Sequence, residues 1–164
     1  MTVPAIAHDV AAAVAAEPDA RAAQTRAVAM LKASVPHYTW VGIYLLEGDE
    51  LVLGPFLGKP SPHTRIPLNR GICGAAASQK ATIVVDDVNN DPRYLACSLD
   101  TKSEIVVPIM DGQTVLGEID IDSDRPAAFG PGDRALVESV ARALALKLTT
   151  LASRPDSAAE SRRD

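Results

Sequence analysis

Two thiols and a short run of carboxylates are the groups in this sequence whose types and spacing could do chemistry. Cys97 lies in Asp-Pro-Arg-Tyr-Leu-Ala-Cys-Ser, a loop bracketed by turn residues, where Arg93 or Lys102 would favour the nucleophilic thiolate. Cys73 sits in Gly71-Ile-Cys-Gly74, among small residues that suit a buried hydrophobe. Two cysteines without a CxxC are either plain buried thiols or partners in transient redox chemistry, and composition does not choose between these. In Gly117-Glu-Ile-Asp-Ile-Asp-Ser123, a strand period of two sends Ile119 and Ile121 to one face and Glu118, Asp120 and Asp122 to the other. Aspartate is a poor strand residue, and same-face carboxylates repel. Such a local conflict marks either a binding or catalytic surface or a solvated strand end.

Trp40 and Tyr44 are four residues apart, hence on one face of a strand, where they form either an aromatic wall for an apolar ligand group or ordinary core. His37 and His63 have no metal-ligand spacing with the cysteines, so no metal is expected. The Gly71-Ile-Cys-Gly74 segment lacks the Lys-Ser/Thr of a P-loop and the third glycine of a dinucleotide loop.

The elements that must position these residues follow from the patterning. Residues 9–34 are rich in Ala, Arg, Gln and Leu, and predict two helices broken near Pro18, with Asp19 as a start signal and Pro36 as a stop. From Tyr38 the period shortens, and the Gly48-Asp49 turn between two apolar runs predicts a β-hairpin. A short helix from Gly71 leads to a short strand at 82–85, and Asp111-Gly112 predicts a second hairpin over 104–122. Residues 133–152 carry Leu136, Val140, Leu144 and Leu148 at i, i+4 spacing, a helix with one apolar stripe. This order has no βαβ alternation and predicts an α+β domain, an antiparallel sheet with helices mainly on one face. One domain is expected over 1–152, with a disordered polar tail at 153–164.

A chain of 164 residues with 47% apolar residues can bury a substantial core. Its net charge of -5 disfavours nucleic-acid binding, which needs clustered Lys and Arg, and points to a small molecule or protein partner. No apolar run approaches bilayer-spanning length, so a cytoplasmic location and no membrane partner are expected.

Taken together, Trp-Val-Gly-Ile-Tyr-Leu-Leu (40–46), Leu-Val-Leu-Gly-Pro-Phe-Leu-Gly-Lys (51–59), Arg-Gly-Ile-Cys-Gly (70–74), Leu-Ala-Cys (95–97), Ser-Glu-Ile-Val-Val-Pro-Ile (103–109) and Gly-Glu-Ile-Asp-Ile-Asp-Ser (117–123) closely resemble the free methionine-(R)-sulfoxide reductases. The resemblance implies the GAF fold, a six-stranded antiparallel sheet packed on helices, and a homodimer. It also implies that Cys97 attacks the sulfoxide sulfur, that Glu104, Asp120 and Asp122 hold the sulfoxide oxygen and the ammonium, and that Trp40 and Tyr44 enclose the S-methyl group. The implied partners are free methionine sulfoxide and a thioredoxin-type external reductant, with no bound cofactor. The family usually carries a further cysteine just after the Gly-Lys of the second strand. Here that stretch reads Gly58-Lys-Pro-Ser-Pro-His-Thr64, which leaves Cys73 or an external thiol to resolve an oxidised Cys97. A non-catalytic GAF sensor of small molecules or redox state is the alternative.

Overall fold

The computed structural model describes residues 2–96 and 99–152, with side chains described to residue 150. Cys97 and the tail from 153 lie outside the described residues. Helices α1 (Val3–Ala16) and α2 (Ala20–Ser34) precede the hairpin β1 (Trp40–Glu47) and β2 (Glu50–Leu57). The short strand β3 (Arg65–Pro67), helix α3 (Gly71–Gln79) and strand β4 (Ile83–Val85) follow. The chain then forms the hairpin β5 (Ser103–Asp111) and β6 (Thr114–Ser123) and closes with α4 (Pro131–Ala152). The first helix starts earlier than its composition suggests because Thr2 caps it, its hydroxyl accepting from the Ala5 N–H ahead of a proline suited to the first turn. Asp19 caps α2 in the same way, accepting from the Ala22 N–H at 2.7 Å.

The strands form one antiparallel sheet in the order β3-β2-β1-β6-β5-β4. Its strand β3 is a three-residue edge that the sequence patterning does not reveal. The apolar residues Val41, Ile43, Ile105, Val107, Ile119 and Ile121 point to one face and pack with α1, α2 and α4 in a single core. The stripe predicted on α4 is part of it: Leu136, Val140 and Leu144 are buried there, and Leu148 packs at its edge. The other face carries Trp40, Tyr44 and Val106, and α3 covers it with Ile72, Cys73, Ala76 and Ala77. Three helices therefore supply the large core, and the fourth roofs the opposite face.

The central pairing of β1 with β6 fixes everything on that opposite face. Trp40 pairs with Asp122, Gly42 with Asp120 and Tyr44 with Glu118, while Glu104 of β5 pairs with Asp122 from the other side. Gly117 allows the close approach, since a Cβ there would sit 2.2 Å from the Tyr44 carbonyl oxygen. That atom is backbone and cannot swing aside. Gly117→Ala is expected to cost about 1–3 kcal/mol, as overpacking does elsewhere, and to lower the midpoint of thermal unfolding by several degrees. Calorimetry checks this; an unchanged midpoint would mean that the strands can separate locally at no cost.

Candidate functional site

The alternation in β6 places three acidic side chains on the face that α3 covers. Glu118 is 0% exposed, Asp120 4% and Asp122 5%, and Glu104 beside them is 5% exposed. The solvated strand end is thereby excluded: these are interior groups. Buried ionisable groups need partners, yet both Glu118 oxygens, Asp120 Oδ1 and Asp122 Oδ1 lack a hydrogen-bond partner among the described residues.

Burial sets their protonation. It pushes the Glu118 carboxyl well above the ordinary carboxylate range, and the negative charge of Asp120 adds to the rise; the nearby Cys73 thiol offsets part of it without reaching good hydrogen-bond geometry. Asp120 is also raised by burial, against the opposing effect of hydrogen bonding to Glu104 and Cys73. Asp122 is raised well above its usual value by burial and then by Asp120, with Thr101 acting in the opposite sense. These rises favour retention of protons within the cluster to higher pH than exposed carboxyls allow. The Cys73 thiol, buried under α3, is raised by burial first and by Asp120, Glu118 and Glu104 after that, so in this state it is a protonated thiol rather than a thiolate.

The local sequence explains how Cys73 comes to face the acids. Gly71 opens α3 at φ +70, where an added Cβ would meet Leu95 Cδ1 at 2.9 Å, so the loop leading to Cys97 rests on the helix start. At Gly74 a Cβ would meet the Pro67 and Leu68 carbonyl oxygens at 2.9 Å, which seats the helix against β3. The small residues of 71–74 thus serve the close backbone contact that their composition suggests.

The expected site residues divide between two neighbouring hollows on this face. The inner one, about 20 Å³, is lined by Tyr44, Cys73, Glu104 and Asp120 together with His63 and Leu95. The outer cleft, about 460 Å³, is lined by Trp40 and Asp122 with Lys59, Thr101 and Lys102. Trp40 is fixed by its Nε1–H donating to the Lys59 carbonyl at 3.0 Å and by stacking on Phe56 with centroids 5.8 Å apart. Its six-membered ring lies over Gly42, where a Cβ would come within 2.2 Å of it. Tyr44 donates its hydroxyl to the His63 carbonyl at 2.8 Å. The aromatic pair is therefore both core and wall: the Tyr44 ring is packed inward, and Trp40 borders the open cleft.

Arg93, expected as a possible thiolate partner, forms a two-pronged contact with Asp91 at 2.9 and 2.6 Å. Lys102 lines the outer cleft. His37 serves the scaffold: its Nε2 and the Tyr38 hydroxyl meet Asp133 Oδ1 at 3.1 and 2.7 Å, tying the start of α4 to the segment that leads into β1. Burial and this hydrogen bond hold the Tyr38 hydroxyl above its usual range.

The cluster also holds Glu118, whose place on the face of Asp120 and Asp122 is a signal in the period, although it lines neither hollow. His63 carried none; its ring Nε2 reaches the Ala96 carbonyl at 3.2 Å across 33 residues of chain. Among the described residues no helix is long and apolar enough to cross a membrane.

The GAF domain family matches residues 19–148, and the chain belongs to that family. It is 36% identical over 142 residues to the free methionine-R-sulfoxide reductase of Escherichia coli, covering 84% of this chain and 86% of the relative. It is 40% identical over 109 residues to GAF domain-containing protein A of Dictyostelium discoideum, covering 66% and 68%. The solved free methionine-R-sulfoxide reductase of Neisseria meningitidis, in complex with its substrate, superposes with a TM-score of 0.85 at 36% identity over 90% of this chain and 88% of that one.

The elevated carboxyls dictate a pH dependence of stability. Between the unfolded value near 4.3 and the higher folded value, the unfolded chain releases the Glu118 proton while the folded chain keeps it, so stability falls as pH rises through that window. Thermal melts of the wild type should drop from about pH 5 to about pH 8, and Glu118→Gln should melt higher at the upper end with a shallower decline. Parallel curves for the two proteins would show that Glu118 is ionised at little cost.

Proposed function

We propose that this protein is a thiol-dependent reductase of free L-methionine-(R)-S-oxide, with Cys97 as nucleophile and Cys73 as the resolving thiol. The observation that carries the reading is the set of buried carboxyls at Glu104, Asp120 and Asp122, bordered by Trp40, Tyr44 and Cys73, in a chain that is similar to reductases of that name. Free methionine sulfoxide offers a cationic ammonium for ionised carboxylates, a sulfoxide oxygen for a protonated carboxyl, and an S-methyl group for the Trp40 wall.

The chemistry needs such a mixed set of acids. A sulfoxide oxygen leaves sulfur readily only when protonated, and a carboxyl kept neutral by burial and neighbouring charge is a suitable acid. The Cys97 thiolate attacks the protonated sulfoxide sulfur, the oxygen passes to Cys97 as a sulfenic acid, and methionine departs. Substrate sulfur gains two electrons and Cys97 loses them. The Cys73 thiol then condenses with the sulfenic acid, forming a Cys73–Cys97 disulfide and water, and an external dithiol of the thioredoxin type returns both thiols by exchange. Its protonated state in the described structure means that Cys73 must lose a proton as it attacks, and the surrounding carboxyls provide acceptors.

A second reading is a GAF module that binds a small molecule without turnover. It is favoured by the lack of a cysteine in residues 58–64.

The two readings separate when free L-methionine-(R)-S-oxide is supplied with dithiothreitol or with a thioredoxin system and methionine release is followed. Turnover is expected with both, and Cys97→Ser should lose more than about a thousandfold, as removal of a nucleophile does. Cys73→Ser should work with dithiothreitol and stall with thioredoxin. Binding of the sulfoxide with no turnover under either reductant would establish the second reading.

A further inference from the structure

We propose that Cys73, Glu104 and Asp120 form a binding site for a single divalent cation of borderline softness, of the Zn²⁺ class. One ligand atom from each of the three lies within 4.8 Å of the others, and all three residues are buried. Two independent observations point into the same place. The hollow that they line measures about 20 Å³, enough to admit an ion or a water. Asp120 lines this hollow, is 4% exposed, and its Oδ1 has no hydrogen-bond partner among the described residues.

The donor set selects the ion. One sulfur and two carboxylate oxygens give three protein ligands, the number at which zinc sites keep a fourth position open to water. Hard ions such as Mg²⁺ and Ca²⁺ ask for six or more oxygens, for which the hollow has no space. Thiolate ligation further favours Zn²⁺ or Co²⁺ over Mg²⁺. Binding converts the Cys73 thiol to a thiolate and releases its proton, so affinity rises with pH. A cation there caps Cys73 and occupies carboxyls that the proposed substrate would use, and it would block turnover by competing with the sulfoxide. The site itself does not depend on the reductase reading, since it uses no residue outside the described chain.

The test uses the full, reduced, metal-free protein titrated with Co²⁺. A saturable one-to-one rise of a thiolate-to-cobalt charge-transfer band in the near ultraviolet is expected, and added Zn²⁺ should displace it. Cys97→Ser should show the same band, Cys73→Ser should lose it, and Asp120→Asn should keep it with affinity lowered by more than about tenfold. Circular dichroism of each variant verifies folding, and the wild-type titration stands on its own if Cys73→Ser fails to fold. No saturable band in the wild type, a band that survives Cys73→Ser, or one lost in Cys97→Ser would overturn the site. None of these results depends on turnover, so they are separable from failure of the reductase reading.

Discussion

The desolvation of four carboxyl groups on the inner strands is the constraint that the rest of this structure accommodates. Moving an isolated carboxylate out of water is so unfavourable that such groups neutralise or find partners. Here Glu104, Glu118, Asp120 and Asp122 lie together at 5% exposure or less, and oxygens of Glu118, Asp120 and Asp122 are unpartnered among the described residues. Burial raises the affinity of Glu118, Asp120 and Asp122 for protons and, by the same physics, favours a cation of the right size beside them. The proposed recognition of an ammonium, donation of a proton to a sulfoxide oxygen and retention of a divalent ion would be three expressions of one electrostatic property.

Stability for this costly face comes from the opposite one. The core between the sheet and α1, α2 and α4 contains Val10, Leu31, Tyr38, Ile43, Ile105, Ile119, Val140 and Leu144, each essentially excluded from solvent. Burial of this kind contributes about 25 cal/mol per Å² of apolar surface, and it anchors β1, β5 and β6, the strands that carry the site. Alternation then divides the labour residue by residue. Ile119 and Ile121 hold β6 to the helices while Glu118, Asp120 and Asp122 point toward α3. The glycines at 42, 71 and 117 make room for Trp40, for Leu95 and for the Tyr44 carbonyl, so that aromatic walls and acids can approach without a Cβ between them.

Much of this was legible in the sequence because it is local. Period two in 117–123 placed the acids on one face, the Gly48-Asp49 and Asp111-Gly112 turns located both hairpins, and the Leu136–Leu148 spacing located α4. Period alone could not say whether the acidic face is covered, since that depends on α3 crossing over strands distant in the chain. For the same reason the sequence grouped Trp40 with Tyr44 but could not assign one to the open cleft and the other to the inner hollow. His63 became a lining residue through tertiary placement, and β3 was too short to show a period. The resemblance added roles that spacing could not supply, and the role of Cys97 rests on it.

The central claim is that protonated carboxyls persist at neutral pH within this cluster. Infrared spectroscopy of the full protein tests it most directly, through the carbonyl stretch of un-ionised carboxylic acids recorded across the pH range. This band should survive at about pH 7, well above the ordinary carboxylate range, and shrink in Glu118→Gln. Complete loss of the band by about pH 5.5, with the fold intact, would mean that all four groups ionise normally despite their burial.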